Sequence, residues 1–197
     1  LVVQLDRLGG AGWQARKAKV KKDLLAIANE LLKIAAARLL KKTEVIEADK
    51  TEYEKFSAGF PYVETNDQQN AIEDVIEDLT KGQAMDRLVC GDVGFGKTEV
   101  ALRAAFVIAM AGYQVAVVTP TTLLARQHYQ EFSRRFKDFP VKVMQLSRLV
   151  KPRDAKLTKE AISNGDAGFI IGTHALLGRG IKFNHLGMVI VDEEQRF

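Results

Sequence analysis

The feature that most restricts this chain is an unbroken octapeptide, Gly91-Asp92-Val93-Gly94-Phe95-Gly96-Lys97-Thr98, which satisfies G-x-x-x-x-G-K-[ST] at every fixed position. The pattern encodes a shape. Its glycines let the chain curl until successive backbone N–H groups face one anion, and the helix that follows adds the positive end of its dipole. Lys97 can then reach the β- and γ-phosphates of a nucleotide, and the Thr98 hydroxyl is placed to ligate Mg²⁺. Such a loop needs a strand before it and a helix after it. Arg87-Leu88-Val89-Cys90 reads as a short buried strand, and residues 97–110, rich in Ala, Leu and Val, as the helix. A Gly-rich turn with an exposed lysine is the alternative reading of the string alone.

Beyond the loop the pattern alternates. Apolar runs at 114–119, 141–145, 168–171 and 187–191 read as strands, separated by helices over 122–136 and 153–163, the latter started by Pro152. Upstream, Thr65-Asn66-Asp67-Gln68 carries helix-cap residues at the head of a helix to about Leu79. Strands alternating with helices predict an α/β fold, a parallel sheet covered on both faces. Residues 14–42 contain neither Pro nor Gly and read as one long helix. Val20, Leu24, Ile27, Leu31 and Ile34 step by four and three to draw an apolar stripe, roughly extended by Leu39. Fewer than four clean heptads do not make a coiled coil, so the expectation is a helix packed on a neighbouring domain. Leu8-Gly9-Gly10-Ala11-Gly12-Trp13 reads as a hinge with an aromatic anchor. Residues 43–56, polar and acidic, read as a helix end and connector. Two parts follow: residues 1–56, and an α/β lobe over 57–197.

Bulk properties narrow the class. A hydrophobic fraction of 47% and a charged fraction of 27% are those of an ordinary globular protein. No apolar run approaches the roughly 18 residues of a membrane span, and no signal peptide opens the chain. Cys90 is the single cysteine, which excludes an internal disulfide, suits a reducing cytoplasm and reads as a small core filler. Three scattered histidines make no metal cluster. An opening residue of Leu rather than Met points to a piece of something longer. The net charge of +4 is uneven: residues 1–50 hold 11 Lys/Arg against 6 Asp/Glu, and the remainder is nearly balanced. A solvated helix face explains such a run more simply than a nucleic-acid patch.

A second chemical site closes the chain. The strand at 187–191 runs straight into Asp192-Glu193-Glu194-Gln195, placing acids at the carboxyl end of a buried parallel strand, where such sheets put their chemistry. In a phosphate-loop enzyme a carboxylate there completes the Mg²⁺ shell with the loop hydroxyl. Asp192 is the metal-side candidate and Glu193 the candidate general base; an ordinary acidic loop after a strand is the bland alternative.

With both sites in view, the chain resembles the first motor lobe of superfamily 2 helicases and translocases, with a RecA-like sheet. Thr65-Asn66-Asp67-Gln68 resembles the glutamine motif, in which Gln68 would read the adenine edge, and Phe60 would pack on the base. Pro120-Thr121-Thr122-Leu123-Leu124-Ala125 and Gly172-Thr173-His174 resemble the motifs that grip the DNA backbone, and Asp192-Glu193-Glu194-Gln195 the acidic box. Within the superfamily the run from Met85 to Ala101, Phe60-Pro61-Tyr62, Gln145-Leu146-Ser147-Arg148 and Asp192-Glu193-Glu194-Gln195-Arg196-Phe197 resemble bacterial transcription-repair coupling factors. Leu5-Asp6-Arg7-Leu8-Gly9-Gly10 and Trp13 resemble the exit from that family's polymerase-binding domain, and residues 14–42 its relay helix.

The resemblance implies an ATP-driven double-stranded DNA translocase that displaces stalled RNA polymerase and recruits excision-repair proteins, the last two through domains this chain lacks. It implies ATP and Mg as cofactors, nucleotide contacts from Gly91, Asp92, Val93, Gly94, Phe95, Gly96, Lys97, Thr98 and Glu99, and catalytic roles for Lys97, Asp192 and Glu193. Thr121, Thr122, Arg148, Thr173 and His174 would meet DNA phosphates, since a translocase must run over any sequence. Thr121 and Thr122 could instead cap the following helix, and His174 could be a packed loop residue. The chain stops just past the acidic box, before the second lobe and its arginine fingers, so hydrolysis near background is expected of it alone. Three other readings stand beside this one: a RecG-like branch-migrating lobe, a nucleotide-binding module without turnover, and a metabolic phosphate-loop kinase, for which no substrate lid is visible.

Overall fold

The computed structural model describes residues 9–178 and 180–196. Leu5, Asp6, Arg7 and Leu8 of the N-terminal resemblance, and Phe197 at the end of the acidic string, lie outside the described residues. Contacts divide the chain into two compact units, one running to Glu44 and including Gly82–Met85, the other formed by Val45–Lys81 and Asp86 onward.

The first unit is dominated by α1 (Ala11–Leu40), 30 residues long. The helix starts earlier than the sequence indicates, so Gly12 and Trp13, expected in a hinge, are helical. None of its residues is buried. Val20, Leu24, Ile27, Leu31, Ile34 and Leu39 form the stripe read from the sequence, and each is 52–69% exposed. No described helix is long and apolar enough to cross a membrane.

The second unit is built on four parallel strands, β1 (Gln114–Val118), β2 (Val143–Leu146), β3 (Phe169–Gly172) and β4 (Leu186–Val191), in the order β2-β3-β1-β4. Among the described residues five α-helices accompany them: α2 (Lys50–Ala58), α3 (Asn66–Thr80), α4 (Lys97–Met110), α5 (Thr122–Arg135) and α6 (Pro152–Asn164). The central strands β1 and β3 are buried along their whole length, which is why they are unbroken apolar runs rather than alternating ones.

Register decides which helix each side chain meets. Val115 lies beside Phe169 and Ala116 beside Ile170, and successive residues point to opposite faces. On one face Phe169 packs against Phe136 at 4.3 Å between ring centroids and against Phe132 of α5 at 5.3 Å. Phe106 of α4 and Phe56 of α2 complete that layer, stacked at 4.5 Å. On the other face Ile170, Val118 and Leu146 pack on Ala161 and Ile162 of α6. Each fully buried ring or branched chain is worth roughly 1.5–3 kcal/mol over leaving it in water. Helices cover both faces, as the alternating pattern predicts.

One buried polar residue stitches the amino end of this sheet. Gln114 is 2% exposed, yet its amide nitrogen donates to the carbonyls of Ile162 and Ala167, both at 3.0 Å, and its oxygen accepts the N–H groups of Asn184 and His185. All four hydrogen-bonding positions are filled.

Three sequence expectations are overturned in this unit. β4, read as a buried strand, has only Met188 buried, because no described element covers the rest of it as α4 and α5 cover the central strands. Residues 87–90 form no strand: Leu88 is 67% exposed, and Cys90 is exposed rather than a core filler. The sheet ends at β4, so no ladder takes up their backbone, and an apolar run without a partner does not become a strand. Residues 43–56 are more than a connector. Asp49 accepts the Glu52 N–H at 2.9 Å and so caps α2, whose Phe56 lies in the core at 2% exposure.

Candidate functional site

Because every strand is parallel, their carboxyl ends share one edge, and the sequence-derived candidates gather there. Thr121 and Thr122 follow β1, Arg148 follows β2, Thr173 and His174 follow β3, and Asp192 and Glu193 follow β4.

The phosphate loop opens α4. Gly94 and Gly96 take φ of +86° and +71°, a region glycine enters without steric cost. Gly96 caps the helix in that left-handed conformation; the Glu99 amide donates to the Gly96 carbonyl at 2.8 Å, and the amides at the very start of the helix face outward, where an anion can meet them. Lys97 folds back onto the loop, its Nζ donating to the carbonyls of Gly91 at 2.6 Å and Asp92 at 2.9 Å. Asp92, Val93 and Phe95 are exposed.

Both ends of the Gln68 amide are engaged. Its Oε1 accepts the Thr65 N–H at 2.9 Å while Thr65 Oγ1 accepts the Gln68 N–H, a reciprocal cap on α3. Its Nε2 donates to the Phe95 carbonyl at 2.8 Å. The residue expected to read adenine therefore fastens the start of α3 to the phosphate loop. A Cβ at Gly96 would collide with this amide.

A cleft of about 390 Å³ lies beside the loop, lined among others by Phe60, Gly96, Thr98, His128 and Asp192. It thus joins the candidate for base packing, the end of the loop, the candidate metal hydroxyl and the candidate metal carboxylate. The Asp192 amide donates to the Val118 carbonyl at 3.0 Å, fixing its backbone. His128 Nε2 lies 2.8 Å from Asp192 Oδ2. That hydrogen bond, working against burial and joined by the His128 and Lys97 charges and the Glu193 amide, holds the Asp192 carboxyl below the usual carboxylate range. An ionised carboxylate only accepts, so His128 Nε2 carries the proton in this bond.

Glu193 parts company with Asp192. Its φ of +54° is the one positive value at a non-glycine position among the described residues. Its Oε2 accepts from Gln195 Nε2 at 2.7 Å and lies 3.7 Å from Arg196 Nε, and it is not among the side chains lining the cleft.

Glu99, expected among the nucleotide contacts, borders the cleft but spends its carboxylate elsewhere. It is 3% exposed. Oε1 accepts from Arg103 Nε at 2.6 Å, and Oε2 accepts from Arg135 Nη1. Arg103 reaches on to Ser57 Oγ and Glu64 Oε1, and the Arg135 guanidinium lies 4.6 Å from the Phe56 ring centre and 5.9 Å from that of Phe60. The group ties α4 to α5 and to the segment carrying Phe60.

The backbone-contact candidates divide. Thr121 Oγ1 accepts the Leu124 N–H at 3.2 Å and caps α5, the alternative role read from the sequence; its hydroxyl proton stays free to donate. Thr122 is half-buried, whereas Arg148 and His174 are exposed. Thr173 is 4% exposed, so its side chain is not on the surface where a phosphate would meet it.

Sequence reasoning missed His128, Arg103 and Arg135. Leu124, Gln127, His128 and Glu131 line the cleft at helical spacing, a signal visible in the sequence of α5. The pairing of His128 with Asp192, 64 residues away, had no local signal. Among the described residues no group of three or more His, Cys, Asp or Glu could hold a metal ion. A cation here would draw on one carboxylate, a hydroxyl and its anionic ligand, which is how Mg²⁺ is held.

Residues 65–197 match the model of the DEAD/DEAH box helicase family. Over 100% of its length the chain is 52% identical to the transcription-repair-coupling factor of Rickettsia bellii (strain RML369-C), covering 18% of that protein. It is 50% identical to that of Myxococcus xanthus over 99% of the chain and 16% of the relative. The chain therefore spans less than a fifth of the relatives it matches. Among solved structures, a RecG bound to a three-way DNA junction superposes with a TM-score of 0.77 at 35% identity, over 84% of this chain and 23% of that one. A hypothetical ATP-dependent RNA helicase from Sulfolobus tokodaii shares the fold, with a TM-score of 0.56 at 22% identity over 75% of this chain and 42% of that one.

Proposed function

The chain belongs to the DEAD/DEAH box helicase family, and from that premise we propose that it supplies the ATP- and Mg²⁺-binding half of a motor that translocates on double-stranded DNA. The observation that carries the reading is the convergence of Thr98, at the start of α4, and Asp192, at the end of β4, on one cleft beside the phosphate loop. Two hard oxygen donors from segments far apart in sequence, next to a glycine-shaped phosphate loop, suit a magnesium-bound triphosphate.

The residues take distinct parts. Loop amides and Lys97 hold the phosphates once the ammonium exchanges its two carbonyl acceptors for phosphate oxygens. Thr98 and Asp192 hold the cation, which when bound neutralises charge developing on the transferred phosphoryl group. Phe60 bounds the base side. Gln68 keeps the loop attached to α3. Glu193 is the candidate for orienting the attacking water, a role that requires it to leave Gln195. Arg148, His174 and the Thr121 hydroxyl offer a cation and polar donors to DNA phosphates at the neighbouring strand ends.

In the parent protein the same motor displaces stalled RNA polymerase and couples transcription to excision repair. The relatives named transcription-repair-coupling factor support this reading, with identity of 52% across the whole chain. A RecG-like branch-migrating role has the support of a 35% identical structure.

The nucleotide reading is tested by titrating the chain with a fluorescent ATP analogue and Mg²⁺. Saturable binding that Lys97→Ala weakens, with the fold retained by circular dichroism, is expected. Equal affinity of the two proteins would overturn the assignment.

A further inference from the structure

We propose that His128 is a positioning residue for the cation: it holds Asp192 in the rotamer that offers one carboxylate oxygen to Mg²⁺ beside Thr98. The inference rests on the reading of the cleft as a Mg²⁺–nucleotide site and adds a residue outside the motifs that define that site.

Four observations carry it. His128 and Asp192 line the same cleft as Thr98, and His128 Nε2 engages Oδ2 at 2.8 Å, while the Glu193 amide also bonds this carboxylate. The imidazole is itself held. Its side chain is 14% exposed and its ring stands edge-on to Phe132 at 6.4 Å, while Phe132 is 1% exposed in the aromatic layer. The loop does not need the imidazole to stay in place, because the Asp192 N–H already donates to the Val118 carbonyl. Nor does α5 need Asp192, being anchored by Ala125, Phe132 and Arg135, all buried. What His128 adds is therefore side-chain orientation. A metal-bound carboxylate free to rotate must be ordered at the moment of binding, and outer-shell partners that remove this freedom typically change metal affinity by roughly 10–100-fold.

The geometry also specifies the substitute. A glutamine amide places its donor nitrogen near the position of an imidazole Nε2, whereas leucine fills the space with no donor. The test uses the chain with a fluorescent ATP analogue, titrated first in EDTA and then with Mg²⁺ at fixed nucleotide, for wild type, His128→Leu and His128→Gln. The expected result is metal-free nucleotide affinity equal in all three. The Mg²⁺ concentration for half-maximal enhancement should rise roughly 10–100-fold in His128→Leu and return to within a few-fold of wild type in His128→Gln. An unchanged Mg²⁺ midpoint in His128→Leu overturns the proposal. So does an equal loss with and without Mg²⁺, which would make His128 a wall of the cleft rather than a guide for Asp192. Absence of Mg²⁺-dependent nucleotide binding by wild type is a separate result, and it removes the nucleotide reading itself.

Discussion

The two flanks of the cleft are built by opposite means. On one side Glu99, Arg103 and Arg135, each at most 7% exposed, interlock beneath Phe56 and Phe60. On the other the phosphate loop stands in solvent, with Val93 at 94% and Phe95 at 65% exposure. The buried flank spends its charges on itself, and its geometry is fixed before any ligand arrives. The open flank has a solvent-facing loop backbone and a lysine resting on carbonyls that it can exchange. Stability and ligand affinity should therefore respond to different residues, although the two flanks meet within a few residues of α4.

The largest effect is expected where the buried flank is broken. Glu99→Ala leaves two guanidinium groups buried without their shared counter-ion, and loss of one partner from such a group costs about 3–5 kcal/mol. Urea denaturation of the chain should show it, and a loss below 1 kcal/mol would mean that water reaches the site. On the open flank, Lys97→Ala should shift the urea midpoint by no more than about 0.5 kcal/mol. Its nucleotide affinity should fall by about 1.5–3 kcal/mol, the worth of hydrogen bonds to a charged group. Matching losses of stability in the two variants would erase the contrast drawn here.

Thr65 joins the flanks through Gln68, and Thr65→Ala removes a helix cap worth about 1 kcal/mol. Because the same cap orients the Gln68 amide toward the Phe95 carbonyl, this variant should lower stability and nucleotide affinity together, both modestly.

The smallest effect is electrostatic. The carboxyls of Asp192, held down chiefly by the His128 hydrogen bond, of Asp78, held down by Arg87, and of Glu64, held down by its backbone hydrogen bond and Arg103, all lie below their ordinary values. A depressed native pKa means that the unfolded chain binds more protons, so the stabilisation is complete above about pH 4.5 and is lost as pH falls through the native values. Stability measured from pH 6 down to pH 3 should fall, and a flat profile would show that these pairs contribute nothing.

Much of the fold was legible because it repeats. β1 and β3 are buried along their length, and the helix-start signals at Thr65, Thr121 and Pro152 stand in the sequence itself. What failed to be legible depended on partners. Residues 87–90 have the composition of a strand, but strand identity belongs to a ladder, and β4 ends the sheet. α2 was hidden in a stretch, residues 43–56, that reads as polar and acidic, although Asp49 followed three residues later by Glu52 is a capping signature that marks its start. At the site, the curl of the loop was readable because the left-handed conformations of Gly94 and Gly96 are a local property. Glu99 stands next to the loop in sequence, and Gln68 was assigned to the ligand because Thr65-Asn66-Asp67-Gln68 resembles the glutamine motif; Arg103 and Arg135 hold Glu99 from four and 36 residues away, and the Thr65 cap engages Gln68 from three.

The central claim is that the amides of the phosphate loop and the Asp192 carboxylate serve one magnesium-bound triphosphate. Backbone amide NMR of the chain, titrated with Mg²⁺ and a non-hydrolysable ATP analogue, tests it most directly. Shifts concentrated at residues 92–98 and at 191–193, both dependent on Mg²⁺, are the predicted result. Loop amides that move while residues 191–193 stay unperturbed, or ligand-induced shifts confined to another part of the lobe, would contradict it.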